Sequence, residues 1–422
     1  MRVLLYTGKG GVGKTTTAAA TAVWAAAQGL RTLVASADAA HSLGDVLEMP
    51  LGPEPSIVDD GRSSPASNDE ARGESGAGHG LPSGTLHAVE IDARAEISRH
   101  WGAVRDYLVR IFRYQGIEEV MADELALLPG LEELTTLLAV DTWAGQGHYD
   151  LIVVDCAPTD SALRLLTLPD AAHGALRILL RLQRAITGVM TPLARNLVAA
   201  PLPDAAVFRD AEDLIYRQLR RLRDRVASPD TSVRLVVTPE QMVIDEALRA
   251  RTDLALFEVA CDAVVMNRLL PAEAAAEPFF AEWVRRQVEY RREVETLFAP
   301  LPLLTAPLQD DEITGLGRLR AQGRTLFEGR RPEAFLCREP GLRFQATAGG
   351  VQMRLPLPGA EPQDLDVAKL AGELVVRTPG LRRPIPLPRH LAGMDLAAAR
   401  WRDGTLCVEF LPRAAPEPQE AL

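Results

Sequence analysis

Eight consecutive residues, Gly8-Lys-Gly-Gly-Val-Gly-Lys-Thr15, carry the spacing G-x-x-x-x-G-K-[ST] between a short apolar run and an alanine-rich stretch. Gly8, Gly10, Gly11 and Gly13, with Val12 among them, let backbone N–H groups close around a chain of phosphates. A helix beginning there turns its positive end toward the same anion. Lys14 would bridge the terminal phosphates, Thr15 offers its hydroxyl to a Mg2+ ion, and Thr16 follows in the first helical turn. A cation held this way also needs a carboxylate. Asp155, ending the run Leu-Ile-Val-Val-Asp, is the candidate, acting through water. Asp38 is a second carboxylate one strand away, placed to orient or deprotonate an attacking water. A turn or cap aspartate is the plainer alternative there. Together these residue types support hydrolysis of the terminal phosphoanhydride of Mg·ATP.

The 46 basic residues include only three lysines: Lys9, Lys14 and Lys369. Two of them fall inside the glycine loop, so arginine is evidently unsuitable there. Lysine is a compact point charge on a thin stem, whereas arginine is a wide planar fork. The motif itself leaves position 9 free, which makes Lys9 an informative extra residue.

The elements that must hold these groups follow the hydrophobic pattern. Residues 2–6, 32–36, 151–154, 234–237, 263–266 and 303–305 read as short buried strands, with long helical segments between them. That alternation predicts an α/β fold, a mostly parallel sheet flanked by helices. Each run ends at a polar or loop residue: Gly8, Asp38, Asp155, Pro239, Asn267 and Pro307. Ligands of such sheets bind beyond the carboxyl ends of the strands, so the candidate chemistry gathers on one edge. Gly29 is the expected C-cap of the first helix.

Residues 53–84 are rich in Pro, Ser, Gly, Asp and Glu and read as a mobile insertion. Residues 96–147 and 170–228 are helical by pattern. The second region is aliphatic with regularly spaced arginines, which fits core helices with a wet face or an amphipathic groove for an apolar partner. The character changes near residues 328–340, and residues 329–340 read as a linker. Beyond them, alternating runs at 351–355 and 406–410, with GELVVR at 372–377 before a proline-rich stretch, predict a small all-β sandwich over residues 341–412, with a frayed tail at 413–422.

The chain of 422 residues has a net charge of −11, which argues against a nucleic-acid partner. No run is long and apolar enough for a membrane span, and the start has no charged segment with a cleavage site. A cytoplasmic protein, with at most indirect membrane association, is the expectation. Four scattered cysteines (Cys156, Cys261, Cys337, Cys407) form neither a disulfide framework nor a Cys-x-x-Cys metal pair.

The sequence Lys-Gly-Gly-Val-Gly-Lys-Thr-Thr from Lys9 resembles the deviant Walker A of the SIMIBI class of P-loop ATPases. Five ordered segments narrow the resemblance to the ArsA/GET-pathway ATPases over residues 1–328. DAAHSLGDV looks like their switch I and DCAPTDSALRLLTLP like their switch II. MNRLLP resembles their adenine-side strand, LPLLTAPLQDDEITGL their late adenine loop, and PGLEELTTL a characteristic helix start. The resemblance implies a homodimer that opens and closes with the nucleotide. Lys9 would reach the partner's nucleotide and act with Lys14 and Asp38 in catalysis. Asn267 and Pro307 would contact the base, and His41, Pro158 and Thr159 would form the switches. It also implies a helical, client-binding subdomain within 96–228 for a hydrophobic protein segment or apolar ligand.

The departures are specific. Ala39 replaces a proline in switch I, and Asp160-Ser161 replaces Gly-His in switch II, where nucleotide state couples to the client-binding helices. Cys261 stands alone where eukaryotic members carry a zinc-binding pair, so no structural zinc is expected. The cysteines do not match the metalloid-binding set of the arsenite-pump members either. Cys156 reads as a small buried residue and His41 as a switch-loop hydrogen bonder. Residues 341–412 resemble the α-crystallin domain of small heat-shock proteins, through GELVVRTPGLRRPIPLPRHL and RWRDGTLCVEF. Two other functions fit parts of the pattern: an anion-pump ATPase stimulated by arsenite or antimonite, and a positioning ATPase of the ParA/MinD kind.

Overall fold

The computed structural model describes residues 1–36, 42–59, 82–92, 131–155, 217–370, 372–379 and 381–413. Asp38, His41, Cys156, Pro158, Thr159, Asp160 and Ser161 lie outside these residues, as do most of the helical region and the tail.

Eight strands form the first sheet: β1 (Arg2–Thr7), β2 (Thr32–Ser36), β3 (Ser56–Ile57), β4 (Leu86–Glu90), β5 (Leu151–Asp155), β6 (Thr231–Val237), β7 (Cys261–Leu269) and β8 (Leu303–Pro307). Their order is β3-β4-β2-β5-β1-β6-β7-β8. Every pairing is parallel except β3 with β4. β1, β2, β4, β5 and β6 are buried along their whole length, the mark of a parallel sheet covered on both faces. The six expected strands are all present. β3 and β4 are additions, because Leu-His-Ala-Val-Glu carries two titratable side chains and does not read as a buried strand. β3 also falls in the expected insertion, where Ser56 and Ile57 pair with Ala88 and His87.

Helices α1 (Lys14–Ala27), α2 (Ser42–Leu47), α3 (Leu131–Gln146), α4 (Leu219–Val226), α5 (Gln241–Leu256), α6 (Pro278–Leu297) and α7 (Gly315–Phe327) surround this sheet. α1 is buried along most of its length, which its alanines allow by keeping the helix thin. α7 crosses it closely: a Cβ on Gly323 would fall 2.4 Å from the carbonyl oxygen of Ala20. Gly29, at φ 93°, ends the first helical segment as expected, its N–H donating to Ala26 O at 2.9 Å.

Two antiparallel sheets make the C-terminal region. One joins β9 (Arg343–Thr347), β10 (Gly350–Pro356), β14 (Asp395–Arg402) and β15 (Thr405–Leu411) in the order β14-β15-β10-β9. The other joins β11 (Asp366–Leu370), β12 (Glu373–Arg377) and β13 (Arg382–Pro386) in that order. β13 contains Pro384 and Pro386 and lies on a sheet edge, where proline costs no ladder bond. Lys369 donates to the carbonyl of Ala392 at 2.9 Å and also to that of Met394. A single ammonium gathers two carbonyls there, a task for a compact cation.

Residues 329–340, expected as a linker, lie along the N-terminal ends of β1, β6 and β7. Arg2 Nε donates to Glu333 O at 3.2 Å and Arg234 Nη2 to Ala334 O at 3.0 Å. Leu336 N donates to Asp262 Oδ2 at 3.3 Å, and Arg251 pairs with Glu339 at 2.6 Å. The β region touches the same side, through Thr252 with Pro358 O and Arg383 with Glu258. The C-terminal region thus sits opposite the edge that carries the glycine loop.

Candidate nucleotide site

β1 delivers the chain into the loop at Gly8, where a Cβ would strike Val236 O at 2.3 Å, so only glycine can leave the sheet there. The Val12 side chain is buried and pins the middle of the loop. Gly13, at φ 89°, is the N-cap of α1 in a left-handed conformation that glycine adopts freely. A Cβ on Gly10 or Gly11 would meet nothing within 4 Å, so this side of the loop faces open space. Open space, glycine backbone and a 14-residue helix aimed at it fit a polyphosphate.

Lys14 Nζ donates to the carbonyl of Lys9 at 3.2 Å, folding back over the loop. Lys9 points away from it. Its ammonium lies 3.8 Å from Glu246 on α5, and both side chains are partly exposed. Thr15 Oγ1 lies 3.4 Å from Ser42 Oγ, the first residue of α2. Asp155 is 4% exposed at the end of β5, and Ser36 Oγ donates to its Oδ2 at 3.5 Å from the end of neighbouring β2. Thr15 and Asp155 supply a hydroxyl and a carboxylate, the oxygen donors that suit Mg2+.

Asn267, near the end of β7, is 7% exposed and has both ends of its amide engaged. Nδ2 donates to Val12 O at 2.9 Å, and Oδ1 accepts from Arg268 N at 2.9 Å. The residue expected beside the base therefore holds the phosphate loop in this arrangement. Arg268 follows in the left-handed region, at φ 58°, at an irregularity in β7 beyond which Leu269 still pairs with Pro307 of β8. Pro307 ends β8 next to β7, its carbonyl accepting from Gln309 Nε2 at 3.3 Å.

Three contacts at this edge were not foreseen from the residue pattern. Gly44 N in α2 donates to Glu90 Oε1 at 2.9 Å, tying the segment after Asp38 and His41 to β4. Thr314 Oγ1 donates to Glu48 Oε1 at 2.8 Å, joining that segment to the loop before α7. Glu246 faces Lys9. Glutamates look alike in sequence until the fold brings their partners, so no local signal marked these three.

Comparison with known proteins agrees with this geometry. Residues 1–328 match the ArsA_ATPase family model, described as anion-transporting ATPase, and residues 348–410 match ArsA_HSP20, the HSP20-like domain found in ArsA. A protein of Aquifex aeolicus named "Putative arsenical pump-driving ATPase 1" is 32% identical over 95% of this chain and 97% of its own length. One of Prosthecochloris vibrioformis, "Putative arsenical pump-driving ATPase", is 34% identical over 97% of this chain and 96% of its own. "ATPase ASNA1 homolog" of Trypanosoma cruzi is 25% identical over 76% of this chain and 89% of its own. The loop between β1 and α1 thus lies within the residues that match the ATPase family model. The chain belongs to the ArsA ATPase family, as an ATP hydrolase with that family's HSP20-like domain at its C-terminal side.

Proposed function

We infer that the protein is a cytoplasmic homodimer whose Mg·ATP cycle opens and closes the pair and thereby controls binding of a hydrophobic client, such as an apolar protein segment. The observation that carries this reading is Lys9. In a chain that otherwise uses arginine, a lysine stands in the loop, and its ammonium is turned outward to a partly exposed carboxylate 3.8 Å away. A cation directed off its own phosphate cradle is available to a neighbouring copy, whereas Lys14 stays over the loop.

The chain's groups divide the work. The loop N–H groups and Lys14 bind and orient the phosphates. Thr15 and, through water, Asp155 would hold Mg2+, which when bound would neutralise charge at the terminal phosphates. Asp38 orients the attacking water and takes its proton. Asn267 and Pro307 border the base, and His41, Pro158 and Thr159 relay the presence of the terminal phosphate. Helices within 96–228 form the client surface, and the HSP20-like domain is a second holding site.

The test is Asp38→Asn in the full chain. The variant should bind ATP, hydrolyse it at least about a hundredfold more slowly, and elute as a dimer only with ATP. It should then retain a fluorescent peptide of ~20 apolar residues, the length of a membrane segment. Normal turnover would remove Asp38 from catalysis, and a nucleotide-independent monomer would remove the dimer cycle.

A second reading, a subunit driving an anion pump, is favoured by the names of the two bacterial relatives. It requires arsenite or antimonite to raise turnover, which separates it from the first in one assay. A ParA/MinD-like positioning role would need ATP-dependent binding to DNA or vesicles.

A further inference from the structure

α1 buries Thr17 and Thr21, both on the side of the helix that faces the sheet, where alanine would pack more simply. Thr17 Oγ1 donates to Gly13 O at 2.7 Å, and Thr21 Oγ1 donates to Thr17 O at 2.8 Å. The only hydroxyl hydrogen of Thr21 is thereby committed. In the 2.7 Å contact between Tyr6 and Thr21 the donor must therefore be the Tyr6 hydroxyl. The Tyr6 oxygen in turn accepts from Arg234 Nη1 at 3.4 Å. Arg234 donates Nε and Nη2 to Asp262 at 3.1 and 3.3 Å, and Nη2 also to Ala334 O. Asp262 Oδ2 completes the series by accepting from Leu336 N at 3.3 Å.

A continuous polar chain thus runs from the phosphate loop to residues 333–336, through Thr17, Thr21, Tyr6, Arg234 and Asp262. Thr21, Tyr6, Arg234 and Asp262 are all 0% exposed, so none can turn to water when a neighbour moves. A buried group that loses its partner bears the full desolvation cost, which makes the members move together or not at all. Two guanidiniums, Arg2 and Arg234, share the Asp262 carboxylate, and the carbonyls of Glu333 and Ala334 accept donors that Asp262 cannot. Seating of these residues is therefore part of the charge balance of the sheet. A second connection closes the circuit: β7 carries Asp262 near its start and Asn267 near its end, and Asn267 holds Val12 O.

We propose that this chain couples occupancy of the phosphate loop to the seating of residues 333–336, and hence of the HSP20-like domain that follows. Tyr6 and Arg234 are then positioning residues for nucleotide, acting through Thr21, Thr17 and the Gly13 carbonyl. The inference rests on the reading of residues 8–16 as the phosphate cradle. Phosphates drawing on the loop N–H groups orient the Gly13 peptide, and Thr17, whose hydroxyl is bonded to that peptide and whose own carbonyl accepts the Thr21 hydroxyl, passes the constraint inward. By linkage the effect is reciprocal, so loosening residues 333–336 weakens nucleotide binding by the same factor.

The experiment is hydrogen exchange at the Leu336 N–H of the full chain, with and without Mg2+ and a non-hydrolysable ATP analogue. Nucleotide should slow this exchange by at least about fivefold, the lower end of common coupling strengths. Tyr6→Phe deletes only the hydroxyl. It should abolish that difference and raise the dissociation constant of the analogue by the same factor, with kcat at saturating ATP unchanged. Thr21→Val breaks the chain one step nearer the loop and should behave alike, which covers the case of poor folding in the tyrosine variant. A purely structural role would lower Tm and speed exchange equally in both states. Wild-type protein that binds the analogue without slowing Leu336, or a Tyr6→Phe variant with full protection, overturns the coupling. Failure of the wild type to bind the analogue at all would instead overturn the phosphate-cradle reading.

Discussion

The side-chain amide of Asn267 and the α-carbon of Gly13 occupy adjoining space: Nδ2 lies 2.3 Å from where a Cβ on residue 13 would stand. The same nitrogen donates to Val12 O, so a residue on β7 seals the phosphate loop from behind.

Gly13→Ala should therefore fail in two ways. The left-handed backbone at φ 89° costs a non-glycine residue about 1–2 kcal/mol, and the methyl group must also displace the Asn267 amide. We expect a fall in Tm of several degrees and loss of detectable ATP binding by calorimetry. Gly10→Ala is the control, because its Cβ meets nothing within 4 Å and Tm should stay unchanged.

The two loop lysines should separate by assay. Lys14→Ala should lose ATP binding, since that ammonium lies over the loop. Lys9→Ala should bind ATP with near-normal affinity but lose ATP-dependent dimerisation and turnover. Sedimentation with and without nucleotide checks both. A Lys9→Ala variant that dimerises normally with ATP would count against a role for Lys9 across the interface.

Asp262 offers a stability test away from the nucleotide edge. Burial pushes the Arg2 guanidinium down to about 10, against the pull of Asp262. Burial also works against the charge on Arg234, but Tyr6 and Asp262 outweigh it and hold its pKa above the ordinary value. Removing the carboxylate leaves both cations uncompensated. Asp262→Ala should cost about 3–5 kcal/mol in urea unfolding, while Arg2→Met and Arg234→Met combined with Asp262→Leu should cost less, because no lone buried charge remains.

His87 in β4 gives a pH dependence with a definite sign. Burial holds its pKa below the ordinary value, and its Nδ1 has no hydrogen-bond partner among the described residues. The native state resists the proton that the unfolded chain accepts near pH ~6.5. Below that pH the unfolded state binds more protons, so stability falls as pH falls. Tm measured from pH 7.5 to 5.5 should drop less in His87→Leu than in the wild type. Equal slopes would show that His87 does not contribute.

The glycine loop between β1 and α1, the place of Asp155 at the end of β5 and six strands of the parallel sheet were legible from residue order. A phosphate cradle is built from neighbours in sequence, so spacing alone specifies it, and a buried strand announces itself by an apolar run. β4 was hidden because His87 and Glu90 are paid for by the ring of Tyr149 and the N–H of Gly44, partners distant in the chain. β13 was hidden by prolines that only its edge position tolerates.

Two of the three lysines already marked the loop, and the third lysine's grip on two carbonyls became visible only in the fold. Tertiary structure alone decided that residues 329–340 lie against the sheet instead of hanging between domains. It also decided that Arg2, Arg234 and Asp262 form one buried cluster, although 260 positions separate Arg2 from Asp262. Backbone conformation and burial periodicity are local properties that a sequence displays directly. Which charge meets which in the interior depends on strand order, and strand order is set by packing across the whole chain.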